Sequence, residues 1–272
     1  MSSTIELKDV RQVFSVRDGR GRPQEFVALD GLDLTIRAGE LFVLVGPSGC
    51  GKSTVLDLIS GLNQPAGGSI TVGGQEVTSP GLDRGFVFQQ YTLLPWRTAQ
   101  GNIEFALEAA GVRRAERRER ARSYLDLVGL SDFADRYPHE LSGGMKQRVA
   151  IARSLSYEPE VLLMDEPYGA LDAQTRERLQ SELLSIWRRT GTTVVFITHD
   201  IDEAVFLGQR VGVMSNRPGR LKAVVDVALD HDGPERDVRS TDEFARHRHK
   251  IWSLLRSDLS AADERAEVDR VA

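Results

Sequence analysis

Along the chain, short apolar runs without alternation are separated by longer stretches in which apolar residues recur every three or four positions. Three runs stand out: "LFVLV" (41–45), "VLLM" (161–164) and "TTVVFIT" (192–198). Apolar character sustained over a few residues predicts strands covered on both faces. Strands alternating with helical patterns predict an α/β domain with a largely parallel sheet. The segment from about 98 to 157 reads instead as helices, among them "RRAERRERARSYLDLVGL" (113–130). Its charged face and apolar Tyr124, Leu125 and Val128 predict one packed side, so it is taken as a helical insertion between strands. From about 228 onward the chain is polar, with one amphipathic piece, "EFARHRHKIWSLLR", and an end expected to fray.

Each apolar strand runs into chemistry. Gly46 opens a glycine-rich loop, Asp165 and Glu166 follow the second strand, and His199 follows the third. Ligands of open parallel sheets bind beyond the carboxyl ends of the strands, so these three ends are candidates for one site.

The loop "GPSGCGKS" (46–53) matches G-x-x-x-x-G-K-[ST] and has the context that pattern needs: an apolar strand before it and the amphipathic "STVLDLISGL" after it. Glycines let backbone N–H groups turn inward around phosphates, and the helix N-terminus adds partial positive charge. Lys52 is placed to reach β- and γ-phosphates, and the Ser53 hydroxyl to join a Mg2+ shell. The bland alternative is a glycine-rich strand-to-helix turn. Cys50, within the loop, is either a thiol acidified by the helix start or a small side chain pointing into the fold.

In "VLLMDEP" (161–167), Asp165 suits a water-mediated hold on Mg2+ and Glu166 the polarising of an attacking water, two roles that need carboxylates at different depths. A helix N-cap pair is the competing reading of the same turn. His199, ending "VVFITHD", is placed to sense a γ-phosphate, and Gln89 in "GFVFQQYTLLPWRT" (85–98) to coordinate Mg2+ or the hydrolytic water. The apolar "LLPW" is either core or a patch for a partner. His139, His231, His247 and His249 form no metal-ligand pattern and read as surface residues.

Composition narrows the class without naming it. With 272 residues there is room for a large buried core. A net charge of −5 argues against a protein that coats nucleic acid, and the 30 arginines against five lysines are spread along the chain. A single cysteine rules out an internal disulfide and fits a reducing compartment. No apolar run approaches the roughly 18 residues of a membrane span, and "MSSTIELKDV" has no secretion-signal pattern. A soluble cytoplasmic protein is expected, unless a partner holds it at a membrane.

Taken in order, these strings resemble the ATP-binding subunit of ABC transporters. "GPSGCGKST" is similar to the Walker A motif, "VFQQ" to the Q-loop, "LSGGMKQR" (141–148) to the signature motif, "VLLMDEP" to Walker B, "GALD" (169–172) to the D-loop and "ITHD" to the switch-histidine loop. The resemblance covers about residues 4–225. It implies a P-loop NTPase fold of the ABC ATPase type, with a mainly parallel core sheet, an N-terminal antiparallel β region and a helical subdomain at about 90–157. The ATP-binding domain would span 4–230 and a polar helical tail 231–272.

By the same resemblance, ATP is held by Gly46, Pro47, Ser48, Gly49, Cys50, Gly51, Lys52, Ser53 and Thr54, with Phe14 stacking on adenine and Phe26 as its substitute. Ser53, Gln89 and Asp165 complete the Mg2+ shell, Glu166 is the catalytic base, and His199 contacts the γ-phosphate. Ser142, Gly143 and Gly144 close over the nucleotide of a second copy in a head-to-tail homodimer, and Asp172 communicates across it. Met145 stands where many signature motifs carry glutamine.

"LLPWRT", "DEPYGALD", "ITHDIDEAVFLGQRV" and "SNRPGR" resemble the importer branch serving nitrate, sulfonate, taurine and related solutes. That branch implies transmembrane permease subunits as direct partners, a periplasmic-type solute-binding protein as an indirect one, and a peripheral place on the cytoplasmic face of the membrane. No nucleic-acid partner is expected. Alternatives are a soluble ABC-type ATPase without transport, an efflux ATPase, and a P-loop kinase or GTPase in which "LSGG" is only a helix cap.

Overall fold

The computed structural model describes residues 2–17, 19, 21–227, 229 and 237–271, with the backbone alone for 257–271. The expected boundary at 230 and His231 lie outside the described residues. The strands are β1 (Ile5–Arg17), β2 (Pro23–Ile36), β3 (Leu41–Val45), β4 (Gly67–Val72), β5 (Gln75–Glu76), β6 (Arg84–Val87), β7 (Val161–Asp165), β8 (Thr193–Thr198), β9 (Arg210–Met214) and β10 (Leu221–Asp226). The helices are α1 (Lys52–Ser60), α2 (Ala99–Ala109), α3 (Arg114–Leu127), α4 (Gly143–Leu155), α5 (Ala173–Thr190), α6 (Ile201–Leu207) and α7 (Asp242–Val271).

The chain divides into two compact units. The first comprises residues 4–36, 41–78 and the described part of 197–271. Its antiparallel sheet has the order β2-β1-β4-β5. The long β1–β2 pairing runs from Ile5 opposite Ile36 to Arg17 opposite Pro23, and it places Phe14 directly opposite Phe26. β9 runs parallel to β3, and β10 returns antiparallel to β9. All five residues of β3 are fully buried, which explains the uninterrupted apolar run: each such side chain gains about 1.5–3 kcal/mol from leaving water. The amphipathic tail piece forms the start of α7, whose Phe244 and Ile251 are buried. Lys222 Nζ donates to the Leu254 carbonyl at 2.7 Å, and Arg248 pairs with Asp202 of α6 at 2.8 Å.

The second unit comprises residues 2–3, 37–40 and 79–196. β6 and β7 pair in parallel from Arg84 opposite Val161 to Val87 opposite Met164, and β8 lies on the other side of β7. The expected helical insertion is α2, α3 and α4, packed on one another. On α3, Leu125 and the following Val128 are buried as expected, joined by Ala121, while Tyr124 is only partly covered. Leu179, Leu183, Leu184 and Ile186 form the buried stripe of α5, which ends at Gly191 with a φ of 63°, a left-handed cap suited to glycine.

Candidate functional site

In the first unit, β3 delivers the chain into the loop 46–51, and α1 begins at Lys52. The Gly51 N-cap has a φ of 99° and offers no side chain to the first amides of α1, leaving that helix start open to an anion. Gly46 is required by contact, and Gly51 by contact as well as by conformation. A Cβ on Gly46 would come within 2.7 Å of Cys50 Sγ, and one on Gly51 within 2.7 Å of Leu29 Cδ2.

Lys52 is 5% exposed, and its ammonium donates to the carbonyls of Gly46 at 2.8 Å and Pro47 at 3.1 Å. A buried cation whose partners are neutral carbonyls suits an anionic ligand. Ser48, Gly49 and Ser53 are exposed, while Pro47 and Thr54 are half-buried. Cys50 is fully buried, and burial pushes its thiol above the ordinary value against the opposing charge of Lys52. The acidified-thiol reading is thereby corrected: the side chain points into the fold, where desolvation outweighs the nearby cation.

The same unit carries His199, exposed at the end of β8. Asp200 beside it caps α6, accepting from the amides of Asp202 at 2.9 Å and Glu203 at 3.2 Å. His139 and His249 are exposed and His247 is partly so, in keeping with surface roles.

In the second unit, Asp165 is the last residue of β7, and Glu166 follows with a φ of 42°. A non-glycine residue in that left-handed region is strained, a feature that concentrates at functional positions. The helix-cap reading of "DEP" is overturned, because the next helix starts only at Ala173, capped by Asp172. The Asp172 carboxylate accepts the Thr175 amide at 2.9 Å, and that hydrogen bond holds its pKa below the ordinary value. Gln89 is exposed just beyond β6.

Ser142 caps α4, its Oγ accepting from the Met145 amide at 3.3 Å. Gly143 and Gly144 open that helix under tight cover. A Cβ on Gly143 would lie 3.0 Å from Leu171 Cδ2 and 3.1 Å from Tyr91 Oη, and one on Gly144 would lie 3.0 Å from Thr175 Cγ2. Small residues are needed there because the start of α4 packs on the segment around Asp172 and on the loop beyond Gln89.

That packing involves residues the motif reading missed. Arg153 of α4 donates to the carbonyls of Tyr91 and Thr92, and Asn102, fully buried on α2, accepts the Leu94 amide at 2.7 Å and donates to the carbonyls of Leu94, Arg97 and Thr98. The loop so pinned presents Pro95 and Trp96 to solvent, Trp96 at 72% exposure, while Leu93 and Leu94 of "LLPW" are half-buried. Gln147, within "LSGGMKQR", is fully buried, and neither amide atom finds a hydrogen-bond partner among the described residues. No sequence signal pointed to Gln147 or Asn102, since an isolated amide on a helix is unremarkable.

Among the described residues, no group of three or more His, Cys, Asp or Glu side chains is placed to hold a metal, and no helix is long and apolar enough to cross a membrane. Ser53, Gln89 and Asp165 are hard oxygen donors of the kind Mg2+ takes alongside phosphate oxygens.

The ABC transporter family profile matches residues 29–169, just over half of the chain. A nitrate import ATP-binding protein, NrtD of Synechocystis sp., is 49% identical over 257 residues, covering 93% of this chain and 95% of its own. The taurine import ATP-binding protein TauB of Rhizobium johnstonii is 48% identical over 241 residues, covering 86% and 92%. Among solved structures, a dimeric ATP-binding cassette in a post-hydrolysis state, bound to ADP and Pi, aligns with a TM-score of 0.70 at 34% identity, over 82% of this chain and 99% of that one. With an open phosphate-type loop, strand-end carboxylates and a second glycine-started helix on the same chain, the profile and the relatives agree: the chain belongs to the ABC transporter family, as an ATP-binding member.

Proposed function

We propose that this chain is the ATP-hydrolysing subunit of an importer of small anionic or organic solutes of the nitrate, sulfonate and taurine type. It works as a nucleotide-sandwich homodimer on the cytoplasmic face of the membrane, bound there to transmembrane permease subunits. A periplasmic-type binding protein hands solute to that permease. The observation that carries this reading is the presence of two anion-ready helix starts on one chain: α1, reached through the loop of buried Lys52, and α4, opened by Ser142 and two glycines. A chain that only bound nucleotide by itself would need the first alone.

In this reading the loop 46–54 and Lys52 hold the phosphates, with Ser53, Gln89 and Asp165 as ligands for Mg2+. When bound, the metal supplies charge neutralisation to the phosphate oxygens. Glu166 takes a proton from the attacking water, and His199 hydrogen-bonds the γ-phosphate. Ser142, Gly143 and Gly144 present hydroxyl, amides and helix dipole to the nucleotide of the other copy. Asp172 belongs to the dimer contact, and Phe14 or Phe26 supplies the adenine platform. The ATP-binding domain is assigned to 4–230, with its helical subdomain at about 90–157, and the tail to 231–272.

The permease docks near "YTLLPWRT", on the patch around Trp96 and Phe105, which are 72% and 43% exposed. Arg97, 5.1 Å over the Phe105 ring, tethers this patch to α2. The deciding experiment co-expresses the chain with the permease encoded nearest to it and reconstitutes the complex in vesicles. ATPase activity stimulated by the solute and its binding protein is expected. A chain that hydrolyses ATP but never fractionates with the membrane-bound permease would favour the non-transport alternative.

A further inference from the structure

The loop 215–220 ("SNRPGR") has no part in the roles given above, yet it is fastened to two pieces of the first unit that a nucleotide must bridge. Arg217 Nε donates to the Gly49 carbonyl of the phosphate loop at 2.8 Å. The same guanidinium lies over the Phe26 ring, with its carbon 5.2 Å from the centroid. It sits so close to the phosphate loop that a Cβ on Gly49 would collide with Nη2 and stand 3.1 Å from Cζ. The loop itself is stitched down on the β2 side: the Gly219 amide donates to the Ala28 carbonyl at 2.9 Å, and the Asp30 amide donates to the Gly219 carbonyl at 3.1 Å. Arg220 pairs with Asp30, and a Cβ on Gly219 would strike the Cys50 carbonyl.

Phe26 faces Phe14 across the β1–β2 pairing. One side chain, Arg217, therefore links Phe26, one member of the aromatic pair suited to the base, to the loop suited to the phosphates. The span from base to phosphates in a nucleotide is set by its sugar, so whatever locks platform to loop sets the register in which both ends bind. Arginine suits this role because its planar guanidinium stacks on a ring while its N–H groups donate in a fixed plane; an ammonium offers donors but no planar face to stack.

We infer that Arg217 is a nucleotide-positioning residue that clamps the phosphate loop to the aromatic pair, with Phe26 holding the guanidinium and Phe14 taking the base. This rests on the nucleotide-binding reading of the loop 46–54. It divides two aromatics that the sequence leaves as substitutes for each other.

The test uses the full-length chain with ATP and with inorganic tripolyphosphate, which has phosphates but no base. Arg217→Ala is expected to raise KM for ATP about tenfold with kcat within about twofold, while tripolyphosphate inhibition shifts by less than about threefold. Arg217→Lys, which keeps charge and bulk should the alanine variant fold poorly, recovers less than half of the loss on a logarithmic scale. Phe26→Ala adds little in the Arg217→Ala background, whereas Phe14→Ala adds its full effect. An ATP KM within twofold of wild type in both Arg217 variants overturns the inference, as does a loss of tripolyphosphate binding equal to that of ATP. Failure of the wild-type chain to bind ATP would instead remove the reading on which it rests.

Discussion

Arg153 of α4 holds Thr92, its Nη1 donating to the Thr92 carbonyl at 2.7 Å and its Nη2 to the Thr92 hydroxyl at 2.9 Å. Thr92 has a φ of 46°, a left-handed conformation that a β-branched residue avoids unless its surroundings impose it. The helix that begins with the signature glycines thus fixes, at its far end, the loop that begins with Gln89. Arg153→Ala removes charged hydrogen bonds to the exposed Thr92 and to the partly buried Tyr91 carbonyl and frees Thr92 to relax. A loss of about 2 kcal/mol is expected, read as a fall of roughly 4–8 °C in the unfolding midpoint. Unchanged melting would show that the clamp contributes nothing.

Glu166 follows directly on a strand-end carboxylate and is held in strained backbone. Glu166→Gln keeps the size and polarity of the side chain while removing its basicity. ATP affinity should stay within a few-fold, hydrolysis should fall by about a hundredfold or more, and ATP should convert the protein to a stable dimer on gel filtration. Near-normal turnover would reject Glu166 as the base.

Cys50 carries a thiol that is both out of reach and held protonated by burial. Because the thiolate is the reactive form, a raised pKa lowers reactivity at neutral pH, and the rate should climb only as pH passes above the ordinary thiol range. Alkylation of the native protein at pH 7.5 is expected to run about a hundredfold slower than in denaturant. Once alkylated, the loop should no longer bind nucleotide, since the adduct has no room beside Gly46. Fast native labelling, or full activity after stoichiometric labelling, would contradict the buried placement.

Gln147 places an amide in the interior with no hydrogen-bond partner among the described residues. A buried amide without partners costs about 1–3 kcal/mol, whereas an apolar side chain of the same shape avoids that penalty. Gln147→Met should therefore leave stability unchanged or raise it by about 1 kcal/mol, measured by chemical denaturation. A clear destabilisation would reveal a partner for the amide, such as a buried water.

What could be read from the chain alone was whatever depends on neighbours a few positions away. The loop 46–53 is legible because glycine conformations, an open helix start and a lysine at fixed spacing are local chemistry, and the buried strands are legible because burial on both faces removes polar alternation. Order and spacing of the six motifs then carried the family. For "DEP" the residues alone left a helix start open as an alternative; the turn through Glu166 delays the helix to Ala173, so Asp172 is the cap.

The contacts that hold the motifs were invisible, because they join residues far apart in the chain. Arg153 and Thr92 are 61 positions apart, and Arg217 and Gly49 are 168. Such pairs form only after helices pack and strands take their order, and an arginine on paper does not show which carbonyl it will meet. The sequence carried the family and, through its motifs, the expectation of which groups bind and hydrolyse a nucleotide. The tertiary structure decided that Phe14 faces Phe26, that the guanidinium of Arg217 covers one of them, and that Trp96 stands in solvent: strand register and side-chain burial are set by the packing of the whole unit, not by the local run of residues.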